Sequence, residues 1–191
     1  MIGFAICGSF CNFRETLGLL TEIKEKYENV LPILSGNARN TDTRFFRADD
    51  FYENVKSICG KTPFTTITEA EPIGPKGMLD MLVICPCTSN TLAKLSCGIT
   101  DTSVTMAAKS HLRVGGKVVI ALSSNDALSG SFEAVSKMMN RKNIYFVPLQ
   151  QDDHYRKPYS LSFIKSMLLS TVEAAYEGKQ LQPVFDCPKI K

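Results

Sequence analysis

Short apolar runs recur along the chain and alternate with segments whose apolar residues fall every three or four positions. Residues 2–7, 30–34, 81–85, 117–122 and 144–149 are near-continuous apolar runs of strand length. Continuous rather than alternating apolarity marks strands buried on both faces, as in a parallel sheet covered by helices. Between them, Leu17, Leu20 and Ile23 share one face of a helix predicted at 13–27, and Phe51, Val55 and Ile58 share one face of a helix at 50–59. Helices are also predicted at 92–96, 102–112, 132–139 and 162–176, the last with Ile164, Leu168, Val172 and Ala175 inward.

The punctuation fits this alternation. Gly60 and Gly98 suit left-handed helix ends, Asp101 suits the cap of the helix at 102–112, and Gly115-Gly116 reads as a turn. Pro86 ends the run at 81–85, 65–68 reads as a short strand, and the Pro- and Gly-rich stretch 71–77 reads as a loop. Residues 37–50 are polar and carry Arg39, Arg44 and Arg47; they form either a plain exposed segment or a flap that meets an anionic ligand or a partner. The fold class expected is therefore α/β: a single domain over 1–191 with a three-layer, doubly wound, Rossmann-like parallel sheet. Residues 178–191, with Pro183 and Pro188, make a C-terminal tail on the surface or against a partner.

Composition narrows the function classes. A net charge of +3 with scattered basic residues gives no stripe for nucleic acid. No apolar run reaches the length of a membrane span, and the first residues lack a signal-peptide pattern, so a cytoplasmic protein is expected. The seven cysteines are expected to be reduced there. Cys85-x-Cys87 and Cys7-x3-Cys11 lack zinc-pair spacing, and His111 and His154 are far apart, so no metal site is expected.

Small polar residues follow four of the five strands: Gly8 and Ser9, then Ser35, then Thr88, Ser89, Asn90 and Thr91, then Ser123 and Ser124. A parallel sheet brings these ends to one edge, where hydroxyls and helix N-termini suit a phosphate and several ring carbonyls or amides. Taken singly, each serine or threonine is as well explained by helix capping. There is no Walker lysine motif, no GxGxxG fingerprint, and no acidic residue at the end of the second strand to hold a ribose. A mononucleotide with a flat ring, FMN above all, is the expected ligand. His111, late in a helix, reads as satisfied or dipole-paired. His154, beside Asp152 and Asp153, is a conceivable base. The cysteines near the turns read as apolar filler. With no catalytic residue evident, a cofactor is expected to carry any chemistry.

The run Pro86-Cys87-Thr88-Ser89-Asn90-Thr91, with Lys94, Leu95, Gly98 and Asp101 behind it, resembles the flavoprotein superfamily of homo-oligomeric flavin-containing cysteine decarboxylases and flavin prenyltransferases. Gly8-Ser9 matches that family's first flavin loop and Ser35 its second. The resemblance implies FMN held by Gly8, Ser9, Ser35, Thr88, Ser89, Asn90 and Thr91, with Ser123 and Ser124 beside them, at a subunit interface of a trimer or larger assembly.

Further stretches resemble a narrower, dipicolinate-forming branch of the superfamily: Asn40-Thr41-Asp42-Thr43-Arg44-Phe45, Glu71-Pro72-Ile73-Gly74-Pro75-Lys76, Ser124-Asn125-Asp126, Lys142-Asn143-Ile144 and Gln151-Asp152-Asp153 with Lys157-Pro158. That resemblance implies an oxidoreductase subunit in the mother cell of a sporulating bacterium. It would act with the NAD(P)-binding A subunit of a dipicolinate synthase to oxidise dihydrodipicolinate to dipicolinate. Arg44 and Lys76 are then assigned to the substrate carboxylates. Flavin prenyltransferases carry an arginine where Ser124 stands, and the decarboxylases a histidine in the segment after the second strand, where 35–50 has none. Two alternatives stand beside this reading: a non-catalytic supporting subunit with a vestigial flavin site, and an independent FMN-dependent decarboxylase.

Overall fold

All five apolar runs are strands of one seven-stranded sheet in the computed structural model of the chain, which describes residues 1–186. β1 (Ile2–Ile6), β2 (Val30–Leu34), β3 (Met81–Thr88), β4 (Lys117–Ser124) and β5 (Ile144–Phe146) run parallel in the order β2-β1-β3-β4-β5. Every residue of β1 and β2 is buried, as continuous apolarity requires of strands covered on both faces. The strand order reverses between β1 and β3, which opens a crevice at their carboxyl ends.

The helices α1 (Phe13–Tyr27), α2 (Gly36–Asn40), α3 (Ala48–Cys59), α4 (Ile67–Ala70), α5 (Ser89–Cys97), α6 (Ser103–Arg113), α7 (Phe132–Met139) and α8 (Leu168–Tyr176) flank the sheet. Phe13 of α1 stacks on Phe51 of α3 with ring centroids 3.9 Å apart. Tyr27 stacks on Tyr176, holding α1 against α8. Gly60 and Gly98 adopt the left-handed conformation at the ends of α3 and α5.

Several boundaries differ from the pattern-based expectation, each for a physical reason. Pro86 does not end the third strand. β3 continues to Thr88 because its pairing with β4 shifts register between Ile84 and Cys87, and such an irregularity tolerates a residue with no N–H. α5 begins at Ser89, since Thr88 caps it. Asp101 does not cap α6: Thr102 does, in a reciprocal box with Thr105, while Asp101 pairs with Lys94 at 2.8 Å.

The stretch 65–68 is not a strand. Thr66 and Glu69 form a capping box that starts α4, and only Phe64 bridges to Ile33. The polar segment 37–50 contains α2 and the start of α3. Residues 71–77 include a single turn of 3-10 helix at Glu71–Ile73.

The last region departs most. β5 is short, and the chain then forms β6 (Leu149–Gln150) and β7 (Leu161–Phe163), antiparallel to each other. β7 pairs with the end of β4 at Ser123 and Ser124. Helix α8 consequently starts at Leu168 and not at 162. As far as residue 186 the tail lies on the sheet: Leu149 bridges to Phe185, and the Gln180 side chain bonds both backbone groups of Phe146. Pro188 and the rest of the expected tail lie outside the described residues.

Candidate functional site

Four strand ends meet at the carboxyl edge, and a network of small polar side chains joins two of them. After β1 the chain passes Gly8 and Ser9 into a turn of 3-10 helix at Phe10–Asn12. The Asn12 amide donates to the Ser9 hydroxyl at 2.8 Å and to the Ser123 hydroxyl at 2.9 Å. Ser9 donates to Ser123 at 3.3 Å. Thr88 stands directly across from Ser123 in the ladder, so β1, β3 and β4 present their hydroxyls side by side. Gly8 permits close approach of the first two turns: a Cβ there would lie 3.0 Å from the Asn37 Cβ of α2.

These turns line a cavity of about 620 Å³. Gly8, Ser9, Thr88, Ser89, Ser123, Ser124 and Arg44 all contribute to its lining. Ser35, Asn90, Thr91 and Lys76 do not. Ser35 is buried and its hydroxyl accepts from the Ala38 N–H at 3.3 Å, capping α2. Thr91 is buried behind the turn, where its N–H donates to the Thr88 hydroxyl at 3.3 Å. Lys76 lies in the loop leading to the amino end of β3, on the far side of the sheet from this edge: a few residues on, Asp80 donates its N–H to the Met1 carbonyl.

Other lining groups are residues to which the sequence reading gave no role in the site. Asn12 is one. Asp152, Lys157 and Lys165, from the chain around β6 and β7, are others. Asp152 and Lys157 belong to the stretch 151–158 that carries the narrower resemblance, which said nothing of their place beside the strand-end turns, and Lys165 carried no motif. Lys157 pairs with Asp152 at 2.9 Å, and that bond holds the Asp152 carboxyl below the usual carboxylate range. Lys165 pairs with Glu15 at 2.7 Å. Arg44 has no carboxylate partner among the described residues and lies over the Phe45 ring at 4.8 Å.

Asp126 braces the fourth turn. Ser124 and Ser131 each donate to its carboxylate at 2.8 Å. Burial works to raise this carboxyl, but the hydroxyls of Ser131, Ser124 and Ser89 together hold it low. Its bonds tie the end of β4 to Ser131 at the start of α7.

Beneath the turns, Cys7, Cys85 and Cys87 are fully buried. A hydrogen bond from Cys7 and then burial push the Cys87 thiol up, and burial pushes Cys85 up, which keeps both as neutral filler. His111 is not dipole-paired in charged form. It is buried at the opposite end of the sheet, next to Lys117, with Nε2 lacking a partner among the described residues; burial lowers its pKa. His154 is exposed against Tyr155 and does not line the cavity. Among the described residues no group of acids, histidines and cysteines is placed to hold a metal ion, and no helix is long and apolar enough to cross a membrane.

A cavity of this size, walled by hydroxyls, an amide and a helix N-terminus and rimmed by cations, fits an anionic ligand with a polar flat ring. The chain belongs to the Flavoprotein family, which its sequence matches over residues 2–151. It is 36% identical, over 96% of its length and 92% of the relative's, to the B subunit of dipicolinate synthase from Bacillus subtilis (strain 168). Its fold matches the crystal structure of the dipicolinate synthase B subunit from Bacillus halodurans C with a TM-score of 0.89 and 37% identity, covering 97% of this chain and 95% of that one. A dodecameric FMN-dependent Ubix-like decarboxylase from Escherichia coli O157:H7 shares the fold with a TM-score of 0.62 and 22% identity, covering 78% of this chain and 80% of that one.

Proposed function

We propose that this chain is the flavin-binding B subunit of a two-subunit dipicolinate synthase. It would act with an NAD(P)-binding A subunit to oxidise dihydrodipicolinate to dipicolinate in the mother-cell cytoplasm during sporulation. The observation that carries the reading is the 36% identity to a B subunit across 96% of the chain. The site is consistent with it. Gly8, Ser9, Thr88, Ser89, Ser123 and Ser124 form the wall for FMN, and Ser35, Asn90 and Thr91 shape that wall from behind or beside it. When bound, the flavin supplies a two-electron acceptor for hydride.

The reaction removes a hydride and a proton from the ring and leaves an aromatic pyridine. No histidine lines the cavity, which favours this chemistry over cysteinyl decarboxylation. Arg44, on the rim, offers a planar fork to one substrate carboxylate. Lys76, on the other side of the sheet, is too remote to hold the second one.

Assembly into a trimer or larger homo-oligomer belongs to the same proposal. It is supported by the dodecameric relative and by exposed Leu128, Phe132, Tyr155 and Tyr159 near the cavity-lining loops. The decisive assay measures dihydrodipicolinate oxidation with this chain alone, with the NAD(P)-binding chain alone and with both, each with and without FMN. Turnover that needs both chains, with flavin absorption bands from this chain when purified, is expected. Full activity from the NAD(P)-binding chain, with this one colourless and indifferent to FMN, would favour a supporting subunit instead.

A further inference from the structure

The cavity has two kinds of wall. The hydroxyl wall of Ser9, Thr88 and Ser123 lies within residues 2–151, the part shared with the whole Flavoprotein family. The opposing contribution from 152–165 lies beyond that shared part. A wall outside the stretch that the family shares in sequence is free to differ between branches, so it is the place for substrate discrimination.

Its charged members are unequal. Lys165 is engaged with Glu15 of α1, which does not line the cavity. Lys157 is bonded, among the described residues, to Asp152, five residues earlier on the same loop and itself a lining residue. Both members of that pair are largely exposed, and solvent screens such a pair to a weak net attraction. An incoming carboxylate can therefore readily take the place of Asp152. Lys157 lines the same cavity as Cys11 and Asn12 of the first turn, so it shares the space with the family wall.

We propose that Lys157 is a specificity-determining residue that binds one carboxylate of a small ring dicarboxylate. Asp152 is the internal stand-in that the ligand displaces. The inference rests on the dicarboxylate reading above, with Arg44 holding the second carboxylate. A diacid gains a charged bond at Arg44 and replaces a weak, solvent-screened one at Lys157, so the site should prefer a dicarboxylate over its monocarboxylate analogue.

The test is calorimetric titration of the full chain, with and without FMN, using pyridine-2,6-dicarboxylate and pyridine-2-carboxylate. The wild type is expected to favour the diacid by about tenfold. Lys157→Gln should bring the two acids to within about twofold, and Asp152→Asn should bind the diacid several-fold more tightly. Circular dichroism should show both variants folded as the wild type, since both side chains are exposed. A Lys157→Gln chain that keeps the wild-type preference overturns the role of Lys157 and leaves the substrate class standing. An Asp152→Asn chain with unchanged affinity overturns the stand-in. A wild type that binds neither acid overturns the dicarboxylate reading and this inference together.

Discussion

The Asn12 amide donates to the Ser123 hydroxyl at 2.9 Å and ties together residues 111 positions apart in sequence. The bond passes over the end of β3, the strand between β1 and β4, and with the Ser9 contact it fixes the spacing of the first and fourth turns. Asn12→Ala removes the donor shared by both hydroxyls. A stability loss of about 1 kcal/mol is expected. A roughly tenfold weaker hold on FMN is expected beside it, because the wall loses its preset geometry. Fluorescence titration with FMN and urea unfolding measure the two effects, and unchanged FMN affinity would show that the network only braces the fold.

Arg44 is the cavity cation that no carboxylate of the described chain neutralises. Arg44→Ala should raise KM for dihydrodipicolinate in the two-subunit enzyme by about tenfold while kcat changes little, the signature of lost uniform binding. Arg44→Lys should recover only part of the loss, since a point charge replaces a fork. Steady-state kinetics that superimpose on the wild type would remove Arg44 from the site.

His111 carries a pH prediction with a definite sign. Burial holds its folded pKa below the ordinary histidine value, so between the two values the unfolded chain binds more protons. The neutral ring's contribution is complete above the unfolded pKa of about 6.5 and is lost as pH falls towards the folded value. Urea midpoints measured from pH 7.5 to 5 should therefore decline, and His111→Gln should flatten part of that slope. Parallel profiles for the two proteins would falsify the assignment.

Gly74 is a position where almost any side chain should fail. A Cβ there would lie 2.0 Å from the Ser110 carbonyl oxygen, while the Gly74 N–H donates to the Ser110 hydroxyl at 2.8 Å. Gly74→Ala should cost about 3 kcal/mol or more, because backbone has to move to admit one methyl group. Thermal unfolding gives the answer, and a wild-type Tm would mean that the loop before β3 shifts freely against α6.

The parallel sheet was legible because strands buried on both faces leave an unbroken apolar signature, and Val30–Leu34 and Lys117–Ser124 show it plainly. The hairpin of β6 and β7 was not. Leu161 and Phe163 merge with the helical spacing of Leu168 and Val172, and a three-residue strand is too short to assert its own period. The turns were legible as places. The task of each hydroxyl was not: Ser35 caps a helix and Thr91 accepts from Thr88 behind the turn, whereas Ser9 and Ser123 line the cavity, and only three-dimensional proximity separates the two uses. Asn12 carried no motif at all, since its partner is fixed by strand order and not by spacing.

The borders of the sheet bear on how copies of this chain can meet. Beside β2, Phe64 takes the Leu34 N–H through its carbonyl at 2.8 Å and gives its own N–H to Pro32 at 2.9 Å. Beside β5, the Gln180 amide imitates a neighbouring strand, accepting from the Phe146 N–H at 2.8 Å and donating to the Phe146 carbonyl at 2.7 Å. Farther along, Leu149 donates its N–H to the Val184 carbonyl of the tail and accepts from the Asp186 N–H. Each margin is hemmed by the chain's own residues, so assembly by zipping sheets into one another is disfavoured. Copies are left to associate through side-chain surfaces, and an amyloid-like route to misassembly would first have to unpick these hems.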